Sequence, residues 1–131
     1  MSRSSQTRRS GKVKKTPIDR DKALLITSSV PGEKGFHFFT DVEKPIGIVA
    51  TSLFDFLEQL KKVDLKSLEF HSKRNDFQKW LREVIRDDWL ADQFEKLHAL
   101  DLSADKLRVR LVQITEERCK QLSDELKHLT V

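Results

Sequence analysis

The stretch SLEFHSKRNDFQKW, Ser67–Trp80, decides how the chain turns, because it contains the end of one helix and the start of the next. Asn75 stands three residues before Gln78, and this capping-box pattern predicts a helix start. Phe77 and Trp80 follow at helical spacing and are expected to point inward. We therefore predict two helices that meet at a break around Asn75.

Apolar residues at helical spacing lie on both sides of this corner. The stripes are Leu53, Phe56, Leu57, Leu60 and Val63 before it, then Phe77, Trp80, Leu81, Val84 and Ile85, and finally Leu90, Phe94 and Leu97. Asp87 or Asp88 is expected to cap the helix that carries the last stripe. From about Ser103 the chain lacks glycine and proline and is predicted to form one long helix. Apolar and polar residues alternate within Lys106–Gln113, so an extended conformation of this segment is an alternative.

Three short segments upstream have the composition of β-strands. They are Ala23–Val30, Phe36–Thr40 and Ile46–Ala50, which are apolar, aromatic or β-branched and are separated by turn residues. The short loops between them favour an antiparallel meander. The predicted fold class is α+β, a three-stranded antiparallel sheet followed by four to five helices, in a single domain over residues 21–131.

Residues 1–20 differ from the rest of the chain in composition and charge. They contain few large apolar side chains, so we expect a disordered basic tail. The first fifteen residues include no acid and six cations: Arg3, Arg8, Arg9, Lys12, Lys14 and Lys15. Since the whole chain carries +4, the remainder carries −2, and attraction to phosphate is assigned to the tail.

The sequence also disfavours several classes of protein. Cys119 is the single cysteine, so no intrachain disulfide can form, which fits a reducing cytoplasm. No apolar run approaches about 20 residues, so no membrane span is expected, and no secretory signal is recognisable. The histidines and Cys119 show no short metal-ligand spacing, and the scattered glycines form no phosphate-binding loop. We expect a cytoplasmic protein that needs no metal or cofactor.

His71, Arg74 and Trp89 are the candidate docking or ligand residues of the body. His71 could anchor a ligand or act as a base, or it could hold the helix joint by hydrogen bonds. On a continuous helix, His71 shares a face with Arg74 and not with Asp76. Arg74 can offer its guanidinium to a phosphate or carboxylate, or pair with Asp76. Trp89 lies out of phase with the apolar stripe that follows it, so partial exposure is expected. No nucleophile has a recognisable neighbouring base, so no catalytic residue is assigned.

The segment Gly35–Ala91 resembles a group of small, mostly archaeal proteins and domains of unknown function. The resemblance is carried by an A-x-S-L start of a helix and by an H-x-x-R-x-D-F-x-x-W signature. The matching residues are Gly47, Ala50, Ser52, Leu53, Ser67, His71, Arg74, Asp76, Phe77 and Trp80. It implies an archaeal source and structural importance for the corner, but no activity; the tail and the C-terminal helix lie outside it.

Three functions are consistent with these observations. The leading hypothesis is a non-enzymatic accessory protein that binds RNA, the ribosome or DNA through the basic tail. An alternative is a protein-interaction or regulatory domain that binds a partner or a second copy through the C-terminal helix. Heptad spacing there would give a coiled-coil seam, either of Val112, Cys119 and Leu126 or of Thr115, Leu122 and Leu129. A further alternative is a small-ligand or enzyme site around His71 and Arg74.

Overall fold

A computed structural model of the protein describes residues 18–128 of the chain, with His128 described by its backbone alone. Over these residues the fold is α+β, with six α-helices and one two-stranded antiparallel sheet. A π-helical turn, Leu81–Ile85, directly continues the helix Asp76–Trp80. In chain order the elements are α1 (Arg20–Thr27), β1 (Phe36–Asp41), β2 (Lys44–Ala50), α2 (Leu53–Lys62), α3 (Leu65–Lys73), α4 (Asp76–Trp80), α5 (Asp88–Ala99) and α6 (Ala104–His128).

The first of the three predicted strands, Ala23–Val30, is wrong because most of this segment belongs to α1. The Asp19 side chain caps the helix by accepting a hydrogen bond from the Lys22 backbone N–H at 2.8 Å. Ala23 and Ile26 are fully buried, whereas Leu25 between them is 58% exposed. The apolar residues of this segment suggested a strand, but only every third or fourth of them faces the core, as in a helix. The sheet therefore has two strands, joined by a turn at Val42 and Glu43.

Most of the predicted basic tail lies outside the described residues. Of residues 1–20, Asp19 and Arg20 form the cap and the first residue of α1, so these two residues do not belong to a disordered tail as predicted. The six cations of the tail all lie in the part of the chain that the structure does not describe.

The predicted helices after the hairpin are confirmed as α2 to α6. The ambiguous segment Lys106–Gln113 is helical within α6. Leu107 and Leu111 are buried there, whereas Val109 between them is exposed, so the apparent alternation is the edge of a helical stripe.

An aromatic cluster joins the hairpin to the helices. The Phe36 ring of β1 lies 5.1 Å from that of Phe77 in α4 and 5.7 Å from that of Phe56 in α2, measured between centroids. Trp80 completes the cluster, and its indole N–H donates to the Lys34 carbonyl at 2.9 Å. The inward orientation predicted for Phe77 and Trp80 is confirmed, since both are buried.

A buried ion pair connects α6 to the start of α5. The Arg118 Nε and Nη2 atoms donate to the two carboxylate oxygens of Asp87 at 2.7 and 2.9 Å, and the side chains are 1% and 0% exposed. Asp87 also caps α5 by accepting from the Leu90 backbone N–H at 3.1 Å, which selects it over Asp88 as the capping residue. The guanidinium lies 4.8 Å from the ring centroid of Trp89. One carboxylate therefore satisfies both a helix end and a buried cation.

A second arginine of α6 caps the end of α2. Arg108 donates from Nη1 to the Lys61 carbonyl at 2.8 Å and from Nη2 to the Val63 carbonyl at 2.7 Å. These carbonyls lie where the helix provides no partner for them, so α6 is attached to α2 through the polar end of that helix.

We predict that Arg118→Ala lowers the free energy of unfolding by about 3–5 kcal/mol, because it leaves the Asp87 carboxylate buried without its cation. Urea unfolding followed by circular dichroism measures the change. Arg110→Ala, on the exposed face of the same helix, is the control and is expected to change stability by less than about 0.5 kcal/mol. Equal losses in the two variants would contradict the role assigned to the buried pair.

Candidate functional site

The corner between α3 and α4 forms where the sequence predicts it. Asn75 adopts a left-handed conformation with φ of 62°, which asparagine tolerates better than most residues. The expected capping box takes a different form. The Asn75 Oδ1 atom accepts from the side-chain amide of Gln78 at 3.0 Å, and the Asn75 side chain makes no capping bond to the main chain.

His71 connects β1 to this corner through both ring nitrogens. The Phe39 backbone N–H donates to Nε2 at 2.8 Å, and Nδ1 lies 2.8 Å from the Asp76 Oδ2 atom. A backbone N–H can only donate, so Nε2 must be unprotonated. The proton is on Nδ1, which donates a hydrogen bond to Asp76. The imidazole is therefore neutral and held in one tautomer.

The surroundings of His71 favour this neutral form. The ring is buried among aromatic side chains, with Phe36 and Phe70 at centroid distances of 4.8 and 5.0 Å. Burial lowers the pKa of His71 below its ordinary 6.5; Asp76 opposes this change, and the nearby Arg74 charge adds to it. Since both nitrogens are engaged, His71 has no free lone pair with which to remove a proton from a substrate.

Arg74 reaches the same carboxylate from the outer side. Its Nε atom donates to Asp76 Oδ2 at 3.1 Å, and its guanidinium carbon lies 5.0 Å from the Phe70 ring centroid. The side chain remains 54% exposed. Asp76 thus accepts from His71 on the buried side and from Arg74 on the exposed side, so the two predicted site residues meet through a third.

A pocket opens beside this group, between the tip of the hairpin and α3. Its volume is about 240 Å³. We call it the hairpin–α3 pocket. It is lined by Phe36, His37, Phe39, Val42, Glu43, Phe70, His71, Arg74 and Asp76. It combines aromatic surface with a guanidinium and two carboxylates.

The other predicted site residues lie elsewhere. Trp89 is partly buried at the start of α5 against Arg118 and does not contribute to the hairpin–α3 pocket. The tail cations Arg3, Arg8, Arg9, Lys12, Lys14 and Lys15 fall outside the described residues.

Sequence reasoning missed Asp76 as a partner of His71, because it assumed the phase of one continuous helix. The predicted break at Asn75 was the signal that this phase does not hold across the corner. Phe39, Phe70 and the hairpin tip were also missed, since no local spacing relates β1 to α3.

Over residues 18–128, no group of three or more histidine, cysteine or carboxylate side chains is placed to hold a metal ion. Across the same residues no helix has the length and apolarity needed to cross a membrane.

These features define a small α+β protein whose hairpin is joined to a helical corner through a buried histidine. Residues 33–129 match a family of unknown function (DUF5752), and the chain belongs to this family. The match extends through α6, beyond the segment Gly35–Ala91 in which the resemblance was recognised. No curated protein and no solved structure matches the chain.

We predict that the protein loses stability as the pH falls below about 6.5, because the unfolded chain takes up a proton on His71 more readily than the folded chain does. The contribution of His71 is complete above this pH, and its loss amounts to at most about 1.4 kcal/mol per pH unit. Urea unfolding between about pH 7.5 and 5 measures it.

His71→Gln is the test variant, since its amide oxygen can still accept from the Phe39 N–H but does not titrate in this range. We expect it to lower stability at pH 7.5 by about 1–3 kcal/mol and to flatten the dependence on pH. His98→Gln, on α5, is the control and should retain the wild-type slope. A wild-type slope in His71→Gln would assign the effect to another group.

Proposed function

We propose that this protein is a non-enzymatic accessory protein that binds RNA, the ribosome or DNA through its basic N-terminal tail. The observation that carries the proposal is the concentration of six cations, without an acid, in the first fifteen residues of a chain whose remainder carries −2. Such a segment neutralises several phosphates and releases their counterions. We place this function in the cytoplasm and, following the sequence resemblance, in an archaeal cell.

Two features of the body support a role in binding and not in catalysis. The histidine of the corner has both nitrogens occupied by the Phe39 N–H and the Asp76 carboxylate. Arg74, by contrast, keeps an exposed guanidinium beside it.

We predict that neutralising the tail weakens nucleic-acid binding and flattens its dependence on salt. In the full-length chain, Arg3, Arg8, Arg9, Lys12, Lys14 and Lys15 are replaced by glutamine. On single-stranded RNA each neutralised phosphate contributes about 0.7 to the slope of log affinity against log salt, so the slope decreases by up to about 4. Fluorescence anisotropy of labelled RNA and duplex DNA, from about 50 to 200 mM salt, measures the slope, and co-sedimentation tests ribosomes.

The control removes the same charge from the body. It replaces six exposed lysines by glutamine: Lys66, Lys73, Lys79, Lys96, Lys106 and Lys120. We expect this variant to keep most of the wild-type slope. If both variants lose affinity and slope equally, binding follows net charge and the tail has no special role.

A second candidate function, protein–protein interaction through α6, is favoured by the exposure of Val109 at 62% and Leu100 at 55%. Leu100 lines a groove of about 330 Å³ between α5 and α6, with Ile114 as further apolar surface and Lys96 and Arg110 beside it. The heptad positions Thr115, Cys119 and Leu122, however, are buried in the body and cannot form an exposed seam.

This candidate predicts self-association that Val109→Glu abolishes, because a carboxylate on the exposed face of α6 opposes apolar contact between copies. Light scattering over a range of protein concentrations measures the mass of wild type and variant. Leu122→Glu is unsuitable, since Leu122 is fully buried and its change would unfold the chain. A wild type that stays monomeric at every concentration removes the homodimer.

A further inference from the structure

We propose that the hairpin–α3 pocket holds one unpaired base of a single-stranded nucleic acid, with Arg74 on the adjoining phosphate. This inference rests on the proposed function, because the tail would bring the strand to the body. It adds a subsite on the folded part of the chain and a preference for single strands over duplexes.

The walls of the pocket suit a planar ring. Phe39 and Phe70 both line it and are partly buried, so each keeps ring surface open to the pocket. Val42 at the hairpin tip adds apolar surface that is 61% exposed. Aromatic side chains bind unpaired bases by stacking, whichever base is present. The space of about 240 Å³ accepts a single ring system and excludes a helix, which is about 10–12 Å across with its side chains.

Arg74 is positioned to hold a phosphate at the mouth. Its Nε atom donates to Asp76 and its guanidinium lies over Phe70, so the plane of the group is fixed from two sides. Among the described residues no hydrogen bond occupies its two Nη groups, which can donate to phosphate oxygens as a pair.

The carboxylates of the pocket favour a base over a purely apolar ligand. Asp76 remains 27% exposed, and Glu43 of the hairpin turn also lines the pocket. Carboxylate oxygens accept hydrogen bonds from the amino groups on base edges. The mixture of donors and acceptors around aromatic walls therefore matches a nucleotide better than an apolar peptide side chain, which would make no hydrogen bond to either carboxylate.

The pocket is preformed by contacts that do not require a ligand. The Asp41 carboxylate accepts from the Val42 N–H at 2.7 Å and holds the hairpin tip. His71 holds β1 to the corner through the Phe39 N–H. A duplex cannot place a base in the pocket without unpairing it, at a cost of a few kcal/mol. Single strands are therefore preferred.

The test measures the affinity of the full-length chain for a short labelled single-stranded RNA, for a duplex of the same sequence and for an abasic strand of the same length. We expect Phe70→Ala to weaken binding of the single strand about tenfold, as loss of one stacked base does, and to leave the duplex and the abasic strand unchanged. Phe54→Ala, an exposed phenylalanine of α2 outside the pocket, is the matched control and should leave all three affinities unchanged.

Two further variants keep the test decisive if Phe70→Ala impairs folding. Val42→Glu adds a carboxylate at the exposed hairpin tip and should weaken the single strand more than the duplex, because only the single strand brings its phosphates to the pocket. Arg74→Gln should weaken the single strand more than Arg110→Gln, which removes an exposed arginine of α6. Thermal unfolding of each variant confirms that the comparison is made between folded proteins.

These experiments test the pocket proposal and the tail function separately. If tail neutralisation flattens the salt slope while Phe70→Ala binds the single strand as well as Phe54→Ala does, the pocket proposal is overturned and the tail function stands. If the slope is unchanged but the single-strand preference depends on Phe70, the pocket stands and the tail function is overturned. Equal affinity of wild type for the abasic strand and the RNA also overturns the pocket.

Discussion

The bridge made by His71 is the interaction on which the arrangement of this protein depends. A two-stranded hairpin is marginal in water by itself, and it needs a packed face and partners for its free edge. His71 accepts from the Phe39 N–H of β1, and it donates to Asp76 at the start of α4. The residue opposite Phe39 in the sheet is Pro45, which has no N–H to satisfy. One imidazole thus satisfies an N–H group of β1 and connects the hairpin to the helical corner.

The same bridge explains why a histidine paired with an aspartate does not indicate a catalytic base here. In a catalytic pair the second nitrogen faces a substrate or a nucleophile. In this protein a main-chain N–H takes that place at 2.8 Å, and the ring is buried among phenylalanines. What remains accessible is the outer layer of the group, Arg74 and part of Asp76, beside the open aromatic surface of the hairpin–α3 pocket. The recognition of a planar or anionic ligand that we propose would use this surface.

Polar groups at helix ends hold the remaining helices in a similar way. Asp87 caps α5 and pairs with the buried Arg118 of α6, and Arg108 of the same helix binds the last carbonyls of α2. The Asp87 cap and the Arg108 bonds satisfy main-chain groups at helix ends. The Asp87–Arg118 pair and the Arg108 bonds join segments more than thirty residues apart in the chain. Non-directional packing of the aromatic core therefore acts together with a few directional contacts that fix how the helices are placed.

The helices after the hairpin, the corner near Asn75 and the charge of residues 1–15 follow from the sequence itself, because helical period, turn-forming residues and net charge are local properties. Three features required the tertiary structure. Ala23–Thr27 is helical because a helix lets Ala23 and Ile26 pack into the core, although the apolar composition of the segment suggested a strand. Asp76 became the partner of His71 because the chain changes direction between them. The hairpin–α3 pocket exists because β1 packs on α3, and contacts between residues more than thirty positions apart leave no periodic signal in a sequence.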